Sequence, residues 1–150
     1  MKVLIVFDTK HGNTQQVADL IADGINSVEG TETEVVNVKD FELSDNKTCD
    51  LILIGSPNHV GSHVKSIKKF IKNLSSGSVK ASSFAAFDTY MSKDFEKAVK
   101  KMEKQISENL PNTTMALPGL SIKVGGMKGP IAEEDLSKCK EFGIKLATKG

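Results

Sequence analysis

The chain has 150 residues, 39% of them hydrophobic, and 20 basic residues against 19 acidic ones for a net charge of +1. That length suits one domain with a sizeable core, and the balanced charge supplies no overall field to attract nucleic acid or anionic lipid. Every basic residue is a lysine, so no guanidinium fork is available, and an anion must be held by backbone amides, hydroxyls or a point charge.

Lys2 leads directly into a strand pattern rather than a leader, and no apolar run reaches the ~20 residues needed to span a bilayer, so a soluble, cytoplasmic protein is expected. Residues 2–7 are consecutive bulky apolar residues after Lys2, as in a strand covered on both faces. From residue 14 to 28, Val17, Ala18, Leu20, Ile21, Ile25 and Val28 recur at helical spacing, with Gln15, Gln16, Asp19 and Asp23 opposite. Further strand signals lie at 33–38, 50–54, 82–87 and, interrupted by Leu117-Pro118-Gly119, at 114–124. Helical patterns lie at 62–74, 93–109 and 133–148. The third helix is expected to start from Ser92 as N-cap and to turn Phe95, Val99, Met102, Ile106 and Leu110 inward. Segments 75–78 and 124–130 read as surface turns, and no linker or repeat divides the chain. Five alternations of strand and helix predict one three-layer, doubly wound α/β domain over residues 1–150 around a five-stranded parallel sheet.

In such a sheet, ligands lie beyond the carboxyl ends of the strands, so the turns after strands one, three and four carry the expected chemistry. The first turn, Thr9-Lys10-His11-Gly12-Asn13-Thr14, runs into a helix start, where unsatisfied N–H groups and the positive dipole end favour a phosphate. Gly12 lets the backbone approach, and Thr9, Asn13 and Thr14 add side-chain donors. The turn lacks the three spaced glycines of a Rossmann site and the Gly-Lys-Ser/Thr step of an ATP-binding loop. It resembles the flavodoxin phosphate loop Thr/Ser-x-Thr-Gly-x-Thr, with His11 where that family carries a hydroxyl.

After strand three, Gly55-Ser56-Pro57-Asn58-His59-Val60-Gly61 is expected to be an irregular loop. It resembles the loop that flavodoxins place beside the dimethylbenzene and N5 edge of the flavin, in a form closest to the longer variant of diflavin-type and quinone-reductase-like relatives. By that resemblance, a backbone carbonyl between Asn58 and Gly61 turns toward N5 on one-electron reduction. His59 or Val60 stands where a tryptophan often stacks. After strand four comes Asp88-Thr89-Tyr90-Met91-Ser92, similar to the family's second flavin loop. Tyr90 is the only tyrosine and reads as the only aromatic in a turn at this end of the sheet, hence a stacking platform, with Met91 as second ring contact.

The resemblance implies the strand order 2-1-3-4-5 and an FMN cofactor held by these three loops. It also implies a monomeric, low-potential, one-electron carrier between redox proteins, with no substrate or catalytic residues of its own. The near-neutral charge balance predicts a less negative low-potential couple than in acidic flavodoxins. The alternative is an NAD(P)H-dependent FMN quinone reductase of the same fold. A phosphoacceptor receiver domain is rejected, because strand three ends in Gly55-Ser56-Pro57 where the acceptor aspartate belongs. No metal is expected: His59 and His63 are i, i+4, but Gly61 intervenes and no carboxylate completes a site. Cys49 and Cys139, far apart and without CxxC spacing, read as free thiols.

Overall fold

The computed structural model describes residues 1–149, the side chains of Asp45 and Lys149 aside. Its strands are β1 (Lys2–Phe7), β2 (Glu32–Asn37), β3 (Lys47–His59), β4 (Ser62–His63), β5 (Val79–Tyr90), β6 (Thr114–Met115) and β7 (Leu120–Lys123). Its helices are α1 (Asn13–Asn26), α2 (Lys65–Asn73), α3 (Lys97–Asn109) and α4 (Glu133–Lys149). The sheet runs β2-β1-β3-β5-β6, with β7 also on β5, and these pairings are parallel. The fifth position is thus shared by two short strands. Residues 117–119 break it, as a proline inside a ladder must. Counted as sheet positions, this is the 2-1-3-4-5 order and a doubly wound α/β architecture.

Alternation along each strand sorts the core into two layers. Val3, Ile5, Phe7, Leu51, Leu53 and Phe87 pack under α1 and α4, while Leu4, Val6, Ile52, Ile54 and Phe84 pack under α2 and α3. Residues buried on both faces explain why β1 and β3 read as continuous apolar runs. On the first side, α1 and α4 touch almost backbone to backbone: a Cβ at Gly24 would fall 2.1 Å from the Lys140 carbonyl oxygen, and one at Gly143 2.1 Å from that of Ile21. Cys49 and Cys139 are free and buried, and burial pushes their thiols up to about 11 and about 12.

Several expectations are corrected. The third helix begins at Lys97, not 93; Ser92 is no N-cap but sits at φ 60°, and the helix starts from Glu96 at φ 63°. Phe95 is consequently outside the helix and exposed instead of inward. The second helix begins at Lys65 because Ser62 and His63 form β4. Residues 55–59 and 88–90 are strand, not loop: β3 and β5 stay paired as far as Pro57 with Thr89 and so extend past the sheet's apolar centre. Periodicity misses this extension because Ser56, Pro57, Asp88 and Thr89 are polar or ring-constrained, and only long-range pairing keeps them extended. Among the described residues, no helix is long and apolar enough to cross a membrane.

Candidate functional site

At the carboxyl end of the sheet, three walls built from four chain segments line a cavity of about 320 Å³. The first wall is the turn from β1 into α1. Gly12 at φ 91° takes a left-handed conformation open to glycine, and its N–H donates to Thr9 Oγ1 at 2.9 Å. Gly12 is also the N-cap of α1 and supplies no side-chain cap; the first turn carries no acidic residue either. The opening N–H groups of α1 are therefore left without a carboxylate or hydroxyl cap, beside a cavity that Asn13 and Thr14 line. Among the lining residues only Asn13 and Thr14 belong to a helix, so this is the single helix start that opens into the site.

The second wall is the end of β3 and its turn into β4. Asn58 pairs with His63 and His59 with Ser62, so Val60 and Gly61 close a two-residue antiparallel turn with φ of 51° and 73°. Both positive values match a type I′ hairpin. A β-branched residue in that region is uncommon and costs about 1–3 kcal/mol, yet Val60 sits there at the cavity edge. Asn58 is pinned by its Nδ2, which donates to Asp94 Oδ2 at 2.7 Å, and Asp94 in turn meets Lys97 Nζ at 3.2 Å. Asn58 Oδ1 is inaccessible and has no hydrogen-bond partner among the described residues.

The third wall combines the end of β5 with the segment after β7. Tyr90 lines the cavity and its ring meets Phe95 edge-on, centroids 5.6 Å apart. Burial, with Asp135 and Asp88 nearby, pushes the phenol above its usual range, so it stays neutral. Thr14 and Thr89 are both buried, and their hydroxyls join α1 to β5 at 2.9 Å. Asn13 Nδ2 donates to the Met127 carbonyl at 3.3 Å, tying α1 to the segment that follows β7.

Twelve of the sixteen residues expected from the sequence line this cavity: Thr9, Lys10, His11, Asn13, Thr14, Pro57, Asn58, His59, Val60, Thr89, Tyr90 and Met91. Four do not. Gly12 shapes the turn behind them. Ser56 is buried, donating to the Pro57 carbonyl at 2.8 Å and accepting from the Val64 N–H at 3.0 Å. Gly61 turns the hairpin on its outer side, beside Lys97. Asp88 is wholly buried and bonds Ser121 Oγ at 2.6 Å and the Val99 N–H at 2.9 Å, joining β5, β7 and α3 rather than meeting a ligand.

Asp94, Val124, Gly126 and Met127 line the cavity as well. The 124–130 segment is thus more than a surface turn, and its Gly125-Gly126 pair directly after a strand was the usable signal. Nothing in the sequence marked Asp94. Tyr90 is also not the lone aromatic here, because the displaced helix start leaves Phe95 beside it. Of the remaining histidine pair, His59 lines the cavity while His63 is buried against Gln105, its Nε2 2.6 Å from Oε1.

A family model described as a flavodoxin domain matches residues 4–124. This chain belongs to the flavodoxin family. A flavodoxin of Aquifex aeolicus is 36% identical over 73 residues, a stretch covering 49% of this chain and 40% of that protein. A solved flavodoxin from the domain Archaea superposes with a TM-score of 0.80 at 27% identity, covering 99% of this chain and 98% of its own. Oxidised flavodoxin 1 from Bacillus cereus superposes at 0.78 with 24% identity, covering 99% and 98%, a likeness of fold.

Members of this family bind a flavin, and the residues of the cavity fit one. An uncapped helix start suits a phosphate, and Tyr90 offers a flat amphipathic face to a ring.

Proposed function

We propose that this chain is an FMN-binding, low-potential electron carrier that passes electrons one at a time between redox proteins. The observation that carries the reading is the convergence of the segments at the carboxyl ends of β1, β3, β5 and β7 on one cavity, with the uncapped start of α1 in one wall and Tyr90 in another. FMN is favoured over a dinucleotide because only one helix start opens into the site and the chain contains no arginine for a second phosphate.

Bound there, FMN supplies a ring system that takes up and releases single electrons. The protein's part is binding and tuning. The free amides that open α1 would hold the phosphate, with Lys10 as a point charge, and Tyr90 would offer the ring a stacking face. The strained Val60–Gly61 turn, at the cavity edge, would offer its backbone to the ring. Only Asp94 brings an acid to the lining, and Lys97 pairs with it, which supports a less negative low-potential couple than a strongly acidic site produces.

Adding the cofactor-free chain to FMN tests the reading. Quenched emission with saturation in the low-micromolar range or below is expected, and emission unchanged at high-micromolar folded protein overturns it. The loaded protein is expected to show no sustained NAD(P)H consumption with a quinone; steady turnover would move the assignment to a reductase.

A further inference from the structure

The lysines of α2 and α3 repeat one spacing. Lys65, Lys68, Lys69 and Lys72 on α2 and Lys97, Lys100, Lys101 and Lys104 on α3 each occupy positions i, i+3, i+4 and i+7, and all eight are exposed. That spacing draws one stripe along each helix. The inward residues, Ile67, Phe70 and Ile71 on one helix and Val99, Met102 and Ile106 on the other, occupy the opposite sides and pack into the same core layer.

The two stripes belong to one surface. Gln105 of α3 donates from Nε2 to the Lys68 carbonyl of α2 at 2.9 Å and bonds His63 of β4 with its Oε1, so the helices and the hairpin are bolted together. Lys68 and Lys101 both act electrostatically on His63 from opposite helices. The Lys97 stem lies on the hairpin turn, where a Cβ at Gly61 would sit 3.6 Å from its Cδ.

Little on this face neutralises the lysines. α2 contains no acidic residue, and the two glutamates of α3 include Glu103, whose carboxylate is engaged by the Gly119 N–H at 2.8 Å. Among the described residues, Lys97 pairs with Asp94 and Lys100 with Glu96, while Lys65, Lys68, Lys69, Lys72, Lys101 and Lys104 have no ion-pair partner. The other helical layer has no such excess: α1 carries two aspartates and no base. A chain of net charge +1 has therefore concentrated its positive charge on one side of the sheet.

This basic face runs into an apolar rim. Val60 is 86% exposed, Met127 62%, Phe95 56% and Met91 43%; three of these line the cavity and Phe95 packs on Tyr90. Single exposed apolar residues are ordinary, but four around one opening, beside a strip of unpaired charge, match an interface with an apolar centre and a charged flank.

We infer that the α2–α3 face and the cavity rim form one docking surface for an acidic redox protein, which the lysine stripes orient so that its apolar contact meets Val60, Met91, Phe95 and Met127. The inference rests on the electron-carrier reading above. A protein partner is favoured over nucleic acid because the apolar rim continues the basic surface and arginine, the better phosphate and base reader, is absent. Charges so placed act chiefly on encounter and orientation, so the association is strongly salt-dependent.

The test uses the FMN-loaded full chain, isotopically labelled, with an acidic two-iron ferredoxin as the probe protein, basic cytochrome c as its counterpart, and a single-stranded oligonucleotide as a third arm. At low salt the ferredoxin is expected to shift amide resonances across residues 60–72 and 91–104, and affinity is expected to fall at least tenfold on going to about 0.2 M salt. The variant K68E/K69E/K101E/K104E is expected to lose at least tenfold in affinity, and K2E/K80E/K140E/K145E, equal in charge change but outside the face, less than threefold. Equal losses in the two variants, preference for cytochrome c, or tighter binding of the oligonucleotide than of ferredoxin overturns the inference. The four reversed lysines lie outside the cavity, so an FMN titration of each variant reads folding and cofactor binding separately. A parent that fails to quench FMN defeats the carrier reading, whereas normal quenching with no ferredoxin binding defeats the docking surface alone.

Discussion

Asp88 sits wholly buried, one residue before Thr89 of the cavity wall, and holds Ser121 Oγ and the Val99 N–H. Burial pushes its carboxyl up from the ordinary 3.8 to about 6, with Glu96 and Asp94 adding to the rise and the two hydrogen bonds opposing it. Between those values the folded chain keeps a proton that the unfolded chain releases, so stability falls as pH rises through the window and the full loss is present above about pH 6. At 1.36 kcal/mol per pKa unit the loss is about 3 kcal/mol. Asp88→Asn fixes the neutral form in nearly the same volume and retains one acceptor for the bonds Asp88 makes. Urea unfolding of parent and variant at pH 4 and pH 7.5, without added flavin, is the assay. Because about 0.6 kcal/mol of the loss is already present at pH 4, just above the unfolded value, the variant's stability relative to the parent is expected to improve by about 2.4 kcal/mol from the lower pH to the higher. A relative stability constant to within about half a kcal/mol across that range would refute the account of Asp88 as a desolvated acid.

Tyr90→Ala is expected to weaken FMN binding by at least tenfold through loss of the stacking face, while Tyr90→Phe stays within about threefold; equal losses in a fluorescence titration would deny stacking as the role of the ring. Gly24→Ala forces a Cβ to within 2.1 Å of the Lys140 carbonyl and should cost more than about 2 kcal/mol in urea unfolding by prying α1 from α4. An unchanged midpoint there would mean that the helices are not in close backbone contact. Val60→Asn replaces a β-branched residue at φ 51° with one that tolerates the left-handed region, and because Val60 is exposed little packing is lost. Thermal unfolding of the flavin-free chain should show a gain of about 1 kcal/mol, and destabilisation would mean that the turn is not strained.

The sequence by itself determined the alternation of strand and helix and the parallel sheet at its centre, while the strand order came from the resemblance. Residues 3–7 and 51–54 bury both faces of a parallel strand, and a run of bulky apolar residues is the direct imprint of that environment. Gly12 followed by Asn13 and Thr14 marked the helix start that opens the cavity, because local turn chemistry is written in a few adjacent residues. Tertiary structure decided what depends on distant partners. Paired through Pro57 and Thr89, β3 and β5 run past their apolar centres, which turns expected loops into strand and carries Ser56 and Asp88 into the interior, where they brace the site. The start of α3 at Lys97 rather than 93 leaves Phe95 outside to join Tyr90, and the Asn13 contact brings Met127 and its neighbours to the third wall. The lysine stripes of α2 and α3 are each visible as spacing, but that they share one face follows from tertiary contacts such as Gln105 bridging the two helices, since side-chain periodicity fixes a direction around one helix and not which helix lies beside it.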